Sequence, residues 1–446
     1  MKTRHYYICL ITCITVLYSC KKMVNVDLPK NQLNTAEVFA DTTATKAALL
    51  NIYALIDKTV DNNLNKYLGV FTDDLSYPNQ PNDEFLTSNL SPVNSTVLNF
   101  WRNSYFAIYS CNDIIQHLGP DNPLPEKFKA NILAEAKFLR AYFYFYLVST
   151  FGKVPLITGT NVDENRVAAR NEISEIYFLI QKDLQDALNA LTGNTNSVKT
   201  RANKYAAMAL AARVYLTQEN WDKAKEYSAT LISSNLFSPL PAVASAFGNN
   251  SKETVFHIWT PTGFIADATT LFPASGRPLY PLTPSLLNSF EQGDLRKASW
   301  IRNVVVSNMT YSHPYKYRNR TANISSPEYL IVFRLSEQYL IHAEATAALG
   351  SVPLAVRDVN IIRNRAGLPS LTEGITVEEF NSAIRREWRN EFFAEGGQRF
   401  LQLKRSGKLK EVVSNVKPAW PDKSALYPIP QNEIITNPNL EQNSGY

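Results

Sequence analysis

The sequence predicts an all-α protein, a scaffold of tetratricopeptide-like helical hairpins carrying one irregular, loop-rich insert with short strands. Three observations carry that expectation. The stretch Glu126 to Ile157, EKFKANILAEAKFLRAYFYFYLVSTFGKVPLI, begins with apolar residues at helical spacing (Ile132, Leu133, Ala136, Leu139) and is continuously apolar from Ala141 to Val148. A helix apolar on every side must be buried. Next, Ala202 to Ile232 and Leu340 to Ala366 each read as two helices around a short turn, with alanines at 12-residue spacing across it (Ala212 and Ala224; Ala343 and Ala355). Small residues let paired helices cross closely, and such pairs must stack on neighbours to bury their apolar faces. Between these hairpins, 237–327 breaks the pattern with short strand-like pieces (Thr254 to Thr260; Trp300 to Ser307) and turns rich in proline (Pro273, Pro278, Pro281, Pro284, Pro314).

From the N-terminus, Met1 to Cys20 has a basic start (Lys2, Arg4), an apolar middle (Tyr6 to Leu17) and then Leu17-Tyr18-Ser19-Cys20. This is the layout of a lipoprotein signal peptide, 1–19, after which Cys20 becomes an acylated first residue anchoring the protein to a membrane face. No later stretch approaches the roughly 20 apolar residues of a spanning helix. Thr35 to Asp57 approximates a helix face through Phe39, Ala47, Leu50 and Tyr53. From Phe71 to Val97 the chain is a long polar loop set with aromatics, and loops of that length in compact proteins are usually functional. Helical periodicity resumes over Phe100 to Leu118. In the central helix Gly152 offers a left-handed cap and Pro155 forbids continuation. Ile173 to Leu191 is a further amphipathic helix, Val377 to Leu403 is helical and charged, and Ala425 to Tyr446 is an extended, proline-bearing tail.

The composition narrows the function. With 45% apolar residues the chain can bury a large core. Its net charge of +5, or +3 without Lys2 and Arg4, is too small to suggest a nucleic-acid partner. Three of the four cysteines lie in the leader, so Cys111 has no disulfide partner in the body and reads as a small buried hydrophobe. Glycoside hydrolysis needs two carboxylates across a cleft, roughly 5 to 9 Å apart, whereas Asp73–Asp74 and Asp83–Glu84 are chain neighbours. No GxSxG, HExxH or phosphate-loop pattern occurs, no histidines stand at metal-ligand spacing, and no cofactor is implied. The glutamates and arginines from Arg385 to Arg399 have the spacing of ion pairs along a helix. Trp101, Trp221 and Trp388 lie in helical periodicity and read as packing residues. The sequence therefore points to a binding protein rather than an enzyme.

Several stretches together resemble the SusD/RagB family of nutrient-binding outer-membrane lipoproteins: AEAKFLRAYFYFYLVSTFGKVPLI (Ala134 to Ile157), FRLSEQYLIHAEA (Phe333 to Ala345), IRNRAGLP (Ile362 to Pro369), IRREWRNEFFAEGGQRFLQLKRSGKL (Ile384 to Leu409) and LYPIPQNEIITNPNLEQNSGY at the end. The resemblance implies an N-terminal helical part, 20–236, and a C-terminal part, 237–446, whose insert 237–327 carries the ligand. The two would form one compact unit. It further implies a surface-facing outer-membrane protein held by lipid on Cys20, passing an oligosaccharide to a SusC-like TonB-dependent transporter. A peptide ligand, or a tetratricopeptide adaptor role, is the alternative. Sugars are held by aromatic faces against their C–H surfaces while amides, carboxylates and guanidiniums read the hydroxyls. That mixture occurs in Asp73, Asp74, Tyr77, Asn79 and Gln80 of the loop and in Arg277, Tyr280, Trp300, Tyr311 and Tyr315 of the insert, which are the candidate ligand residues.

Overall fold

The structure, a computed structural model, describes residues 35–59, 64–193, 199–271, 273, 275–322 and 325–446. The signal peptide and Cys20 lie outside them. The principal helices are α1 (Thr42–Thr59), α2 (Ser95–His117), α3 (Glu126–Phe151), α4 (Ile173–Ala190), α5 (Lys204–Thr217), α6 (Trp221–Ser233), α7 (Leu335–Ala348), α8 (Val352–Arg365), α9 (Val377–Phe392) and α10 (Gln398–Arg405). Among the described residues no helix is long and apolar enough to cross a membrane.

Helix α3 is the centre of the core. From Ala134 to Phe151 every residue except Lys137 is buried, as the continuous apolar run requires. Helices α2 and α4 pack along it, and Arg140 ties the three together, donating to Asp183 of α4 through two nitrogens at 2.8 Å and to Asn112 of α2 at 2.7 Å. The helix ends where expected, with Gly152 at φ +76° returning its N–H to Val148. A helix leaves its last four carbonyls without intrahelical partners. Here the other three are answered from far along the chain: Ser149 by Lys404 Nζ at 2.5 Å, Thr150 by the Tyr427 N–H at 2.8 Å, and Phe151 by Asn443 Nδ2 at 2.9 Å. The C-terminal tail is extended apart from one short helix, Gln431–Thr436, and buries Tyr427 and Ile429 against this helix end.

The hairpins α5–α6 and α7–α8 form as the alanine spacing predicts, and α6 packs on α7, so two units distant in sequence stack directly. Ala212, Ala224, Ala343 and Ala355 are all fully buried. Two expected helices are broken in the structure. The first divides at Asp41, whose side chain caps α1 by accepting from the Ala44 N–H at 2.8 Å. The charged helix divides between α9 and α10 because Ala394, Gly396 and Gly397 adopt positive φ.

Within the insert, β1 (Thr254–Ile258) and β2 (Ile301–Val306) match the strand pieces read from sequence. Their partners were not legible there: β1 pairs antiparallel with β4 (Leu330–Arg334), and β2 with β3 (Met309–Pro314). The β2–β3 turn is Ser307-Asn308, both at positive φ, the two-residue hairpin geometry.

The charged residues of α9 do not pair along their own helix. Glu387 holds Arg296 and Arg363 at 2.9 and 2.8 Å, Glu391 holds Arg334 and Arg365, and Glu395, just beyond the helix, holds Lys316 at 2.5 Å and Arg334 at 3.0 Å. Burial opposes charge on Glu391, yet Arg365, Arg334 and Arg296 hold its carboxyl well below the ordinary range. A buried ion pair adds little net stability but is strongly destabilising to break. This network therefore fixes which segments of insert and hairpin meet.

Candidate functional site

The long loop after Phe71 is anchored at its root by the same device. Asp73 Oδ1 lies 2.9 Å from Arg399 Nε and Oδ2 lies 2.7 Å from Arg389 Nη2, while Asp74 Oδ1 lies 2.8 Å from Arg389 Nε. Burial would raise the Asp73 carboxyl, but its two arginines hold it below the ordinary value. Asp74 is raised, by burial and by the charge of Asp73, against the pull of Arg389. Both carboxylates were candidate ligand residues; both lie beneath the surface with their charge neutralised inside the protein. Asp83 and Glu84 serve the loop itself. Asp83 accepts from the Phe85 and Leu86 N–H groups, and Glu84 from the Ser91 N–H and the Asn94 amide.

From that root the loop joins the insert edge to edge. Leu75 bridges to Leu282, the Ser76 N–H donates to Pro281 O at 2.8 Å, the Thr283 N–H donates to Asp74 O at 3.0 Å, and the Leu282 N–H donates to Ser312 O of β3 at 2.8 Å. Three extended segments thus run side by side at a spacing of about 4.8 Å. Distant candidates are brought into one surface. The Tyr77 ring lies 4.8 Å from that of Tyr280, and Tyr67 meets Tyr280 edge-on at 6.3 Å. Tyr280 is buried behind Tyr77; burial, and hydrogen bonding with Tyr67 and Tyr77, push its hydroxyl pKa up. Asn79 and Gln80 are exposed at the adjoining turn.

Further along, the Arg277 guanidinium lies 5.2 Å over the Tyr311 ring, and those of Arg302 and Arg318 lie 4.7 and 5.1 Å over Tyr315. Trp300 does not join this surface. It is 1% exposed, donates Nε1–H to Val243 O at 2.8 Å and carries Lys316 Nζ 4.7 Å over its ring, a packing residue beneath the site. Sequence reasoning picked out Tyr315 and passed over Arg302 and Arg318. The signal was the β2–β3 register, which sets Arg302 opposite His313, two residues from Tyr315.

A separate cavity lies elsewhere. A groove of about 430 Å³ runs between α2, the 155–166 segment and the Gln431–Thr436 helix, lined by Trp101, Tyr105, Phe106 and Tyr109, with Arg102 and Glu433 paired at 2.8 Å. Trp101 is buried as expected, yet it also forms part of this wall, whose Phe106 is 54% exposed. Of the other singled-out groups, Cys111 is buried with its thiol pKa raised by that burial, and His342 Nδ1 lies 2.6 Å from Asp358, joining α7 to α8.

Comparison with known proteins gives consistent matches along the chain. Residues 27–216 match the family model described as starch-binding, associating with outer membrane, and residues 295–446 match that of the SusD family. A SusD-like protein, P25, of Formosa agariphila is 24% identical, with 96% of this chain and 97% of its own length covered. A SusD superfamily protein from Bacteroides vulgatus superposes with a TM-score of 0.80 at 20% identity, covering 92% of this chain and all of its own. A solved structure described as a laminarin-binding SusD-like protein gives a TM-score of 0.78 at 23% identity, covering 91% of this chain and 99% of its own.

Proposed function

Since this chain belongs to the SusD family, its two halves matching that family's models, we propose that it captures an oligosaccharide at an outer-membrane surface and hands it to a SusC-like TonB-dependent transporter. The anchor in this reading is lipid on Cys20, and the insert 237–327 carries the ligand. One observation supports the ligand site above the rest: the backbone zipper through Ser76, Pro281, Leu282 and Ser312 joins the loop that carries Tyr77, Asn79 and Gln80 to the insert segments that carry Arg277 and Tyr311. An aromatic face flanked by amides and guanidinium suits a sugar's C–H face and hydroxyl rim. The acidic pairs that a glycosidase would need are engaged with arginines or with backbone N–H groups, so the reading is one of binding and release without chemistry.

The test is calorimetric titration of residues 21–446 against panels of glycan oligosaccharides and short peptides, with Tyr77→Ala as the site variant. Tyr77 is only partly buried, at the edge of the core, so its truncation disturbs packing less than that of the fully buried Trp300. Glycan binding weakened about tenfold by Tyr77→Ala is the expected result. Binding of peptides alone would overturn the oligosaccharide reading. For the anchor, Cys20→Ala should release the protein from the membrane fraction, and its retention there would refute lipidation.

A further inference from the structure

The positive charge of this chain is gathered in its insert. Residues 237–327 hold eight basic and four acidic side chains, against a net +5 for the whole sequence. Three of those acids, Glu253, Glu291 and Asp294, are engaged in the buried network with Arg334, Arg363 and Arg296. Arg277, Arg302 and Arg318 are different. Among the described residues none of the three enters an ion pair, whereas Arg296, Arg334, Arg363 and Arg365 each do. Arg277 Nε and Arg318 Nε are, moreover, shielded from solvent without a hydrogen-bond partner.

All three guanidiniums lie over tyrosine rings, Arg277 on Tyr311 and the other two on Tyr315. Stacking of this kind orients a guanidinium and keeps its in-plane N–H donors directed outward, where they match carboxylate and sulfate oxygens in pairs; in Arg318 one of them, Nη2, donates to Ser299 O at 3.3 Å, and the Glu328 carboxylate also feels the Arg318 charge. It also covers tyrosine faces that would otherwise stack on a sugar ring. Arg318 additionally lines a cavity of about 380 Å³ with Asn249, Asn250, Ser251, Lys252 and Glu328. Ser251 is 5% exposed and its hydroxyl has no partner. The Glu328 carboxylate is occupied by the backbone N–H groups of Arg318 and Asn319, at 2.6 and 2.8 Å.

From these contacts we infer that the insert selects an acidic saccharide, one bearing carboxylate or sulfate groups, with Arg277, Arg302 and Arg318 binding the anionic substituents. This rests on the oligosaccharide reading above and narrows it. The test compares matched ligands: oligogalacturonate with its methyl ester, and a sulfated galactan oligosaccharide with its desulfated form. Each is titrated into residues 21–446 at low and at 0.3 M salt. The charged member of at least one pair should bind ten times or more tighter than its neutral partner, and the difference should shrink in salt, because the site is partly exposed. The pair that shows the effect identifies carboxylate or sulfate. Arg318→Gln and Arg277→Gln should each weaken the charged ligand about tenfold, and weaken its neutral partner markedly less, so that the preference within the pair shrinks, with the melting temperature unchanged. Equal affinity within both pairs would overturn the inference and leave oligosaccharide capture standing. Failure of every saccharide, with peptides bound instead, would overturn both.

Discussion

Removing the Arg389 side chain tests whether the loop root is held by charge. In Arg389→Met, Asp73 keeps Arg399, but Asp74, fully buried, loses the one ion-pair partner it has among the described residues. Breaking a buried pair from one side costs about 3–5 kcal/mol, and Asp74, already displaced upward in pKa, would relieve part of that by protonating. The expected loss at pH 7 is therefore about 3 kcal/mol, read by urea unfolding. The sign of its pH dependence follows from linkage. A carboxyl whose folded-state pKa lies above its unfolded value loses stability as pH rises through that window, so the deficit should shrink on acidification from pH 7 towards 5. Asp74→Asn in the same background should recover about 1–2 kcal/mol, since a neutral amide is cheaper to bury than an unpaired carboxylate. A loss below about 1 kcal/mol, or additivity of the two changes, would refute the argument.

Other outcomes are accessible with the same protein. His257 on β1 is buried beside Lys199, which lowers its pKa from 6.5 to about 4; its contribution is complete above pH 6.5 and about 3 kcal/mol is lost as pH falls to 4, so His257→Phe should flatten that part of the acid melting profile. Gly397→Ala places a Cβ 2.4 Å from Leu68 Cδ1 at φ +68°, whereas Gly276→Ala at φ +75° meets nothing within 4 Å. Both pay about 1–2 kcal/mol for the left-handed backbone, and Gly397→Ala should cost a further 1–3 kcal/mol of overpacking, about, visible as a larger drop in melting temperature. In residues 21–446, Cys111 should resist a thiol reagent until the protein is unfolded in urea, because burial both blocks access and raises its pKa; rapid labelling of the native protein would contradict that packing.

What the sequence disclosed, it disclosed through periodicity. The central helix, the alanine-paired hairpins and the Gly152 stop are local patterns, and each forms. The strand β3, MTYSHP, has no alternation to announce it and exists through its pairing with β2, while β4, LIVFR, is an apolar run too short to distinguish from the start of α7. The same limit governs the site. Tyr77, Asn79 and Gln80 could be picked out as polar-aromatic loop material, but the burial of Asp73 and Asp74 depends on Arg389 and Arg399, more than 300 residues away. Trp300 likewise looked like a sugar platform, and its indole is instead held by Val243 within the core. The charge partners that bury Asp73 and Asp74 are long-range, and no spacing rule reports them.

The end of α3 has a consequence in time. Its last carbonyls wait for Lys404, Tyr427 and Asn443, and some 275 residues separate Phe151 from Leu426. At a synthesis rate of about 5–20 residues per second, that is roughly 15–55 s during which the buried central helix lacks its closing partners. The nascent protein must pass that interval either unfolded or shielded, and only the final strap of residues makes the core a finished object.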